Sequence, residues 1–316
     1  MGKEKVQATP NVLIRFAHLL GTDIKNGRLE IPEKFGKGYC CGFVLNENIR
    51  MIISNYELNE EIFVINPDTD RTKRMIFFKF QNIFPKTSTP LEVMPSVLIA
   101  TSRVNTDDVI SIHTNTATIN IEVDADYLNG LFDLSEKSQV LKSLLQNTQP
   151  LLFEQMIFPS LQNIVDEIVT ESIGRTFELF FMRIKAEELI CRLLMELEKR
   201  DEKHLYALNS HDLQTIYKLR ERILEHPETP PVIKELVLYA NMSPTKLKRL
   251  FKQIFGDSIF NYYQKFRMKE AARLLKEDKL SVSDVGYRLG FTNLSHFSRV
   301  FNEHIGMKPK QYSRGV

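Results

Sequence analysis

The sequence predicts an α+β protein in two parts: a β-rich, barrel-like or cupin-like N-terminal domain with trailing helices, and an all-α C-terminal domain. Three observations predict it. Between Tyr39 and Val123, short runs rich in Ile, Val, Phe and Thr recur about every ten residues, the spacing of a small antiparallel β-domain. From Ser135 to Arg200 the apolar residues fall instead at helical spacing. In the last third of the chain one short pattern of apolar and turn residues occurs twice.

Taken in order, residues 1–35 form an arm with a short helix over Val12–Leu20. The barrel covers residues 36–125. Its strands are expected at Ile49–Leu58, Glu61–Asn66, Arg74–Phe80, Ser96–Ser102, Val109–His113 and Thr116–Val123, parted by turn signals such as Asn66-Pro67-Asp68. Helices are expected over 134–200, at Ser135–Gln146, Leu151–Thr170 and Arg175–Arg200. The last carries Phe177, Phe180, Phe181, Ile184, Leu189, Leu193, Leu194 and Leu197. Such stripes must bury against something, and packing on their own barrel and a helix-to-helix dimer contact both fit. Residues 1–200 are thus a sensory or dimerisation domain, 201–210 a linker, and 211–316 a second domain that opens with a helix over Asp212–His226.

The chain has 316 residues, 43% hydrophobic and 26% charged, as expected of a folded two-domain protein. The net charge of +2 hides an asymmetry. Leu205–Val316 holds 19 Lys+Arg against 11 Asp+Glu, a net +8, which leaves 23 and 29, a net −6, before it. A basic C-terminal part suits a polyanionic partner. Cys40, Cys41 and Cys191 form neither a disulfide framework nor a zinc pattern, so inert buried thiols, no metal and no cofactor are expected. The stretch Val12–Leu20 is broken by Arg15 and His18 and is too short to span a bilayer. No signal peptide or membrane contact is expected, and the cytoplasm is the expected location.

The doubled pattern reads as helix, tight turn, helix. Its first copy runs from Ile233 through Asn241-Met242-Ser243 to Phe251 and Gly256. The second runs from Val282 through Gly290-Phe291-Thr292 to Phe301 and Gly306. Asn241 and Gly290 tolerate the left-handed backbone that a tight turn demands. Ser243 is a good N-cap and Pro244 a natural first helical residue. In the second helix of each copy, one face is apolar: Leu247, Leu250, Phe251, Ile254 and Phe255, then Phe297, Val300, Phe301 and Ile305. The other face bears Thr245, Lys248, Arg249 and Lys252, then Ser295, Ser298, Arg299 and Asn302. These groups suit phosphates and base edges, and an Arg fork pairs with guanine. Arg249 and Arg299 occupy equivalent positions. Between the copies, Ser258–Asp278 reads as one helix of about 30 Å, near the roughly 34 Å between successive major-groove faces. A protein that grips double-stranded DNA at two neighbouring places follows from these features.

The stretch from about Leu213 to Tyr312 resembles the AraC/XylS-type transcriptional regulators, a family with a double helix-turn-helix DNA-binding domain. The resemblance is carried by Met242-Ser243-Pro244, Leu247-Lys248-Arg249-Leu250-Phe251, Phe266-Arg267-Met268, Ala271-Ala272-Arg273-Leu274-Leu275, Gly290-Phe291, Ser295-His296-Phe297-Ser298-Arg299-Val300-Phe301, Gly306, Pro309 and Tyr312. It implies DNA contacts through Thr245, Lys248 and Arg249 in the first copy and Leu294, Ser295, Ser298 and Arg299 in the second. Asn241 stands where Gly is commoner, Gly286 where Ala is commoner, and Leu294 where a polar residue is frequent. The phrasing Phe255-Gly256, Phe260-Asn261-Tyr262 and Arg267-Met268 is similar to the branch that senses iron–siderophore complexes. The resemblance implies a sensory barrel, a small-molecule effector, a homodimer and RNA polymerase as a further partner. Tyr39, Phe43, Tyr56, Phe63 and Phe78 are candidate effector-binding residues that serve equally well as barrel core.

Two other readings compete. An enzyme fused to a DNA-binding domain, such as an alkyl-transfer repair protein, needs an activated cysteine and a four-ligand zinc module, which three cysteines cannot supply. The seven histidines lack metal spacing, and no Gly-rich phosphate loop is present, so no enzyme is expected. A regulator without ligand, whose N-terminal domain only dimerises or binds a partner protein, stays open.

Overall fold

The computed structural model of the protein describes residues 9–60, 74–83, 95–102, 104, 115–132, 138–200, 202 and 204–314. The chain divides into two compact units, one built from the chain up to Ser210 and the other from His211 onward. Among the described residues no helix is long and apolar enough to cross a membrane.

The first unit opens with α1 (Asn11–Leu20), followed by β1 (Arg28–Glu30), β2 (Gly36–Val44), β3 (Ile49–Leu58), β4 (Met75–Gln81), β5 (Ser96–Thr101) and β6 (Asn115–Asp124). Then come α2 (Ala125–Leu131), α3 (Gln139–Gln146), β7 (Leu152–Met156), α4 (Pro159–Thr170) and α5 (Arg175–Glu198). The strands form one antiparallel sheet in the order β1-β2-β3-β6-β4-β5-β7. The expected barrel is therefore not closed among the described residues, and β1 and β7 stand at the two edges. The expected strands Glu61–Asn66 and Val109–His113 lie outside the described residues.

Period-two alternation sorts the sheet into two faces. Ile49, Met51 and Ile53 of β3, Ile76, Phe78 and Phe80 of β4, and Ile119, Ile121 and Val123 of β6 are buried together. They share one core with Leu144, Leu161, Ile164, Val165, Leu189 and Leu193 from α3, α4 and α5. A second, smaller core packs Leu13, Phe16 and Leu20 of α1 on Leu29, Cys40 and Leu58.

Four expectations need correction here. Leu151–Thr170 is not one helix. Its first part is β7, paired with β5 from Ser96↔Met156 to Ala100↔Leu152, and the helix begins only at Pro159, which suits a first helical position. Short apolar runs do not separate buried strand from buried helix. The apolar surface of α5 is two stripes, not one. Leu189, Leu193, Leu194 and Leu197 are buried in the core, whereas Phe177, Phe180 and Ile184 face outward. Nor are all three thiols buried: Cys40 is, and burial pushes it up to about 12, but Cys41 is half-buried and Cys191 exposed. The expected linker is also partly packed, with Leu208 buried and its N–H donating to the Pro150 carbonyl at 2.9 Å.

The second unit is all helical: α6 (Ser210–Glu225), α7 (Ile233–Ala240), α8 (Pro244–Phe255), α9 (Ile259–Lys276), α10 (Val282–Arg288), α11 (Leu294–Ile305) and α12 (Pro309–Arg314). The first pattern is α7–α8, the second α10–α11, and α9 joins them. At 18 residues α9 is about 27 Å long, shorter than the sequence suggests. It stops because Glu277 caps it and Lys279 turns left-handed, φ 53°. Rings from α6, α8 and α9 build the first core: Phe251 and Phe255 lie 4.6 Å apart, and Tyr262 is 5.5 and 5.0 Å from them. Met268, Ala271, Leu274 and Leu275 of α9 build the second core with Val285, Leu289, Phe291, Phe297, Val300 and Phe301. One helix thus supplies both cores, its N-terminal half to one and its C-terminal half to the other.

Candidate nucleic-acid interface

Each pair of helices is set by a turn that the sequence specifies locally. Asn241 (φ 49°) and Gly290 (φ 76°) both adopt the left-handed conformation. The Asn241 N–H donates to the Leu238 carbonyl at 3.3 Å and the Met242 N–H to Val237 at 3.4 Å. In the second copy the Gly290 N–H donates to Tyr287 and the Phe291 N–H to Gly286, both at 2.9 Å. Both turns are therefore Schellman closures of the first helix, which satisfy its last carbonyls and fix the exit angle of the chain. The second helices start on side-chain caps. Ser243 Oγ accepts from the Lys246 N–H at 3.3 Å. Asn293 Oδ1 accepts from the Ser295 and His296 N–H groups at 2.9 and 3.0 Å.

The candidate contact residues then fall into two groups. On α8, Thr245, Lys248 and Lys252 are exposed and Arg249 is half-buried. On α11, Ser295, Arg299 and Asn302 are exposed, and Ser298 and Leu294 are half-buried. Arg249 and Arg299 hold the same register but not the same surroundings. Arg299 pairs with Glu303 on its own helix at 3.4 Å, both side chains more than half exposed. Such a surface pair is worth little, so its guanidinium can leave it at small cost. Lys246, next to these groups, is engaged with the buried Asp212 at 2.8 Å. Leu294 has a second duty. A Cβ on Gly286 would come within 2.6 Å of Leu294 Cδ2 and 3.3 Å of Phe297 Cδ1. The small residue at 286 lets α10 lie close on α11, and Leu294 fills that space. Its side chain is committed partly to the helix contact, which explains why an apolar residue stands there.

The candidate effector residues do not converge. Phe43 and Phe78 are buried in the large core of the first unit. Tyr56 packs against the smaller core, its ring 5.6 Å from Phe16. Tyr39 carries the Arg28 guanidinium over its ring at 3.6 Å. Phe63 lies outside the described residues. The other face of the central strands mixes polar groups with Ile52 and Phe77. Arg50 stands opposite Glu122, and Ile52 and Lys79 flank Asn120. All are half-buried. The alternation of polar and apolar residues along Thr118–Val123 is the sequence signal for this face, and aromatic residues alone do not mark it.

Burial raises the Glu122 carboxyl above its ordinary value, against the opposing pull of Arg50 at 3.9 Å. The folded protein therefore holds this proton more tightly than the unfolded chain. That contribution to stability is present at acid pH and is lost as pH rises through the raised value. Glu122→Gln is expected to raise the thermal midpoint relative to wild type at pH 7.5, with the gap closing near pH 4.5. A gap that stays constant or reverses would remove Glu122 from this account.

Comparison with known proteins fits this geometry. Residues 236–315 match the family described as a helix-turn-helix domain. The chain is 35% identical to the HTH-type transcriptional regulator GbdR of Pseudomonas aeruginosa over 113 residues, 36% of this chain and 30% of that protein. It is 28% identical to the HTH-type transcriptional regulator MtrA of Neisseria gonorrhoeae over 167 residues, 52% of this chain and 55% of that one. It is 30% identical to the arabinose operon regulatory protein of Escherichia coli over 83 residues, 26% of this chain and 28% of that one. The matched segments span less than two thirds of each relative's length. These relatives are named as regulators, not as enzymes. The C-terminal unit therefore carries the AraC-type helix-turn-helix domain of DNA-binding transcriptional regulators.

Proposed function

We propose that α8 and α11 enter two adjacent major-groove segments of one promoter, with Lys248, Arg249 and Lys252 on the first helix and Ser295, Ser298, Arg299 and Asn302 on the second. The observation that carries this reading is the repeated closure: two turns of the same hydrogen-bond pattern present two capped helices, and a single helix, α9, belongs to both cores. The first helix brings more positive charge and contributes more of the salt-dependent affinity. The second brings hydroxyl and amide groups, with Arg299 as its guanine-reading fork. Thr245 adds a hydroxyl to the first surface, and Leu294 adds at most an apolar touch at its edge.

The N-terminal unit is the regulatory half in this reading. A small-molecule effector is supported by the half-buried polar face around Arg50, Lys79, Asn120 and Glu122, and homodimerisation by the outward stripe of α5. RNA polymerase is the further partner that promoter-bound action requires. An iron–siderophore complex has no support beyond the resemblance of the sequence.

The test is titration of a duplex selected by the wild-type protein from a randomised library, at fixed salt. Arg249→Ala and Arg299→Ala are each expected to cost about 1–3 kcal/mol, roughly fivefold to 150-fold in affinity, and to relax preference at one base pair. Unchanged affinity and preference in both variants would remove them from the readout.

A further inference from the structure

We propose that Arg267 is a positioning residue that fixes the phase between the two recognition helices, and so the spacing of the two DNA boxes. The inference rests on the DNA reading given above. Arg267 sits in the middle of α9, between the two cores, and is only 5% exposed. Its guanidinium carries no carboxylate partner among the described contacts. Nε donates to the Leu289 carbonyl at 2.8 Å, and Nη2 donates to the same oxygen. Nη1 donates to Gln264 Oε1 at 3.2 Å. The guanidinium carbon lies 3.8 Å from the centre of the Phe291 ring. The buried cation is thus held by the carbonyl end of α10 and by an aromatic face, both favourable to positive charge.

Leu289, Gly290 and Phe291 are the tight turn of the second motif. The same turn meets the entry to the first motif. A Cβ on Gly290 would lie 2.1 Å from the Glu228 carbonyl oxygen, in the loop that leads into α7. That loop is tied back to α9 by Tyr263, whose hydroxyl donates to the Pro227 carbonyl at 2.7 Å. Three backbone segments therefore meet around Tyr263–Arg267: the entry to the first motif, the linking helix and the turn of the second motif. Arg267 holds one side of this joint and Tyr263 the other, while Gly290 lets the two backbones touch. A joint of this kind does not read bases. It sets the angle at which α11 meets the groove once α8 is seated.

The test uses the full chain and the duplex selected by the wild type, with one base pair added to or removed from the interval between the two contacted boxes. Each change moves the second box by about 3.4 Å along the duplex and about 34° around it. The wild type is expected to lose at least about tenfold in affinity on both altered duplexes. Arg267→Met is expected to bind the selected duplex about tenfold more weakly, the effect of losing a buried charged hydrogen bond. Its loss on the altered spacings should shrink below about threefold. Arg267→Lys, which restores one donor to the Leu289 carbonyl, should fall between. Gly290→Ala presses on the Glu228 carbonyl without touching Arg267, and should flatten the spacing response as well. Circular dichroism checks that each variant is folded, and Gly290→Ala decides the matter if Arg267→Met is not. A wild type that selects no two-box duplex overturns the DNA reading. A wild type that selects one, with the variants keeping its full spacing penalty, overturns the joint alone.

Discussion

Phe297→Ala is expected to cost about 3–5 kcal/mol and to unfold the second motif while the first stays intact. Phe297 is fully buried, with the rings of Phe291 and Phe301 at 5.2 and 5.8 Å, and it lies under the close approach of α10 at Gly286. A cost of that size is a large part of the stability of a small domain. The first motif has its own aromatic core of Tyr217, Phe251, Phe255 and Tyr262, none of which belongs to the core that holds Phe297. Hydrogen exchange should therefore lose protection across Val282–Ile305 and keep it across Pro244–Phe255. A uniform loss over both motifs would mean that they fold as one cooperative unit.

Phe180→Glu is expected to dissociate a homodimer. At 100° per residue, Phe177, Phe180, Ile184, Cys191 and Met195 fall within about 60° on α5. Phe177, Phe180 and Met195 are 66, 64 and 61% exposed, an unusual density of large apolar side chains on one line. The buried face of the same helix lies on its opposite side, through Met182, Ala186, Leu189 and Leu193. In a two-fold contact each residue counts twice. Losing two buried phenylalanines costs on the order of 3–6 kcal/mol, about a hundredfold or more in dissociation constant. Sedimentation velocity checks this. A wild type that sediments as a monomer at micromolar concentration, or a variant that sediments like a dimeric wild type, would show that the stripe serves another purpose.

The C-terminal unit was readable from the sequence because its signals are local. Asn241, Ser243, Gly256, Gly290 and Gly306 punctuate helices within a few residues of themselves, and the apolar spacing of α8 and α11 gives their inner faces directly. The N-terminal sheet was less readable because its pairing is not local. Nothing within Leu152–Met156 says that it will lie beside Ser96–Ala100, and the run is as compatible with helix as with strand. The absence of a closed barrel among the described residues has the same origin. The whole of β2 (Gly36–Val44) is missed in the sequence, where no strand is expected before Ile49: its three glycines, Gly36, Gly38 and Gly42, weaken the strand signal, although Gly36 and Gly38 run against Glu57 and Asn55 where a Cβ would not fit.

At the candidate interface, sequence spacing identified the exposed residues of α8 and α11 but not their surroundings. The half-burial of Arg249 and the Arg299–Glu303 pair depend on packing. Arg267 shows the limit most clearly. In sequence it is one more cation in a basic helix. Its partner carbonyl is 22 residues away, and only the fold turns it inward.

The measurement that tests the central claim most directly is a hydroxyl-radical footprint of the full chain on its selected duplex. Two capped helices joined by α9 predict two protected segments on the same face of the DNA, with centres about one helical turn, 10–10.5 base pairs, apart. Phe297→Ala should erase one segment and leave the other. A single protected segment for the wild type, or two on opposite faces of the duplex, would contradict the account.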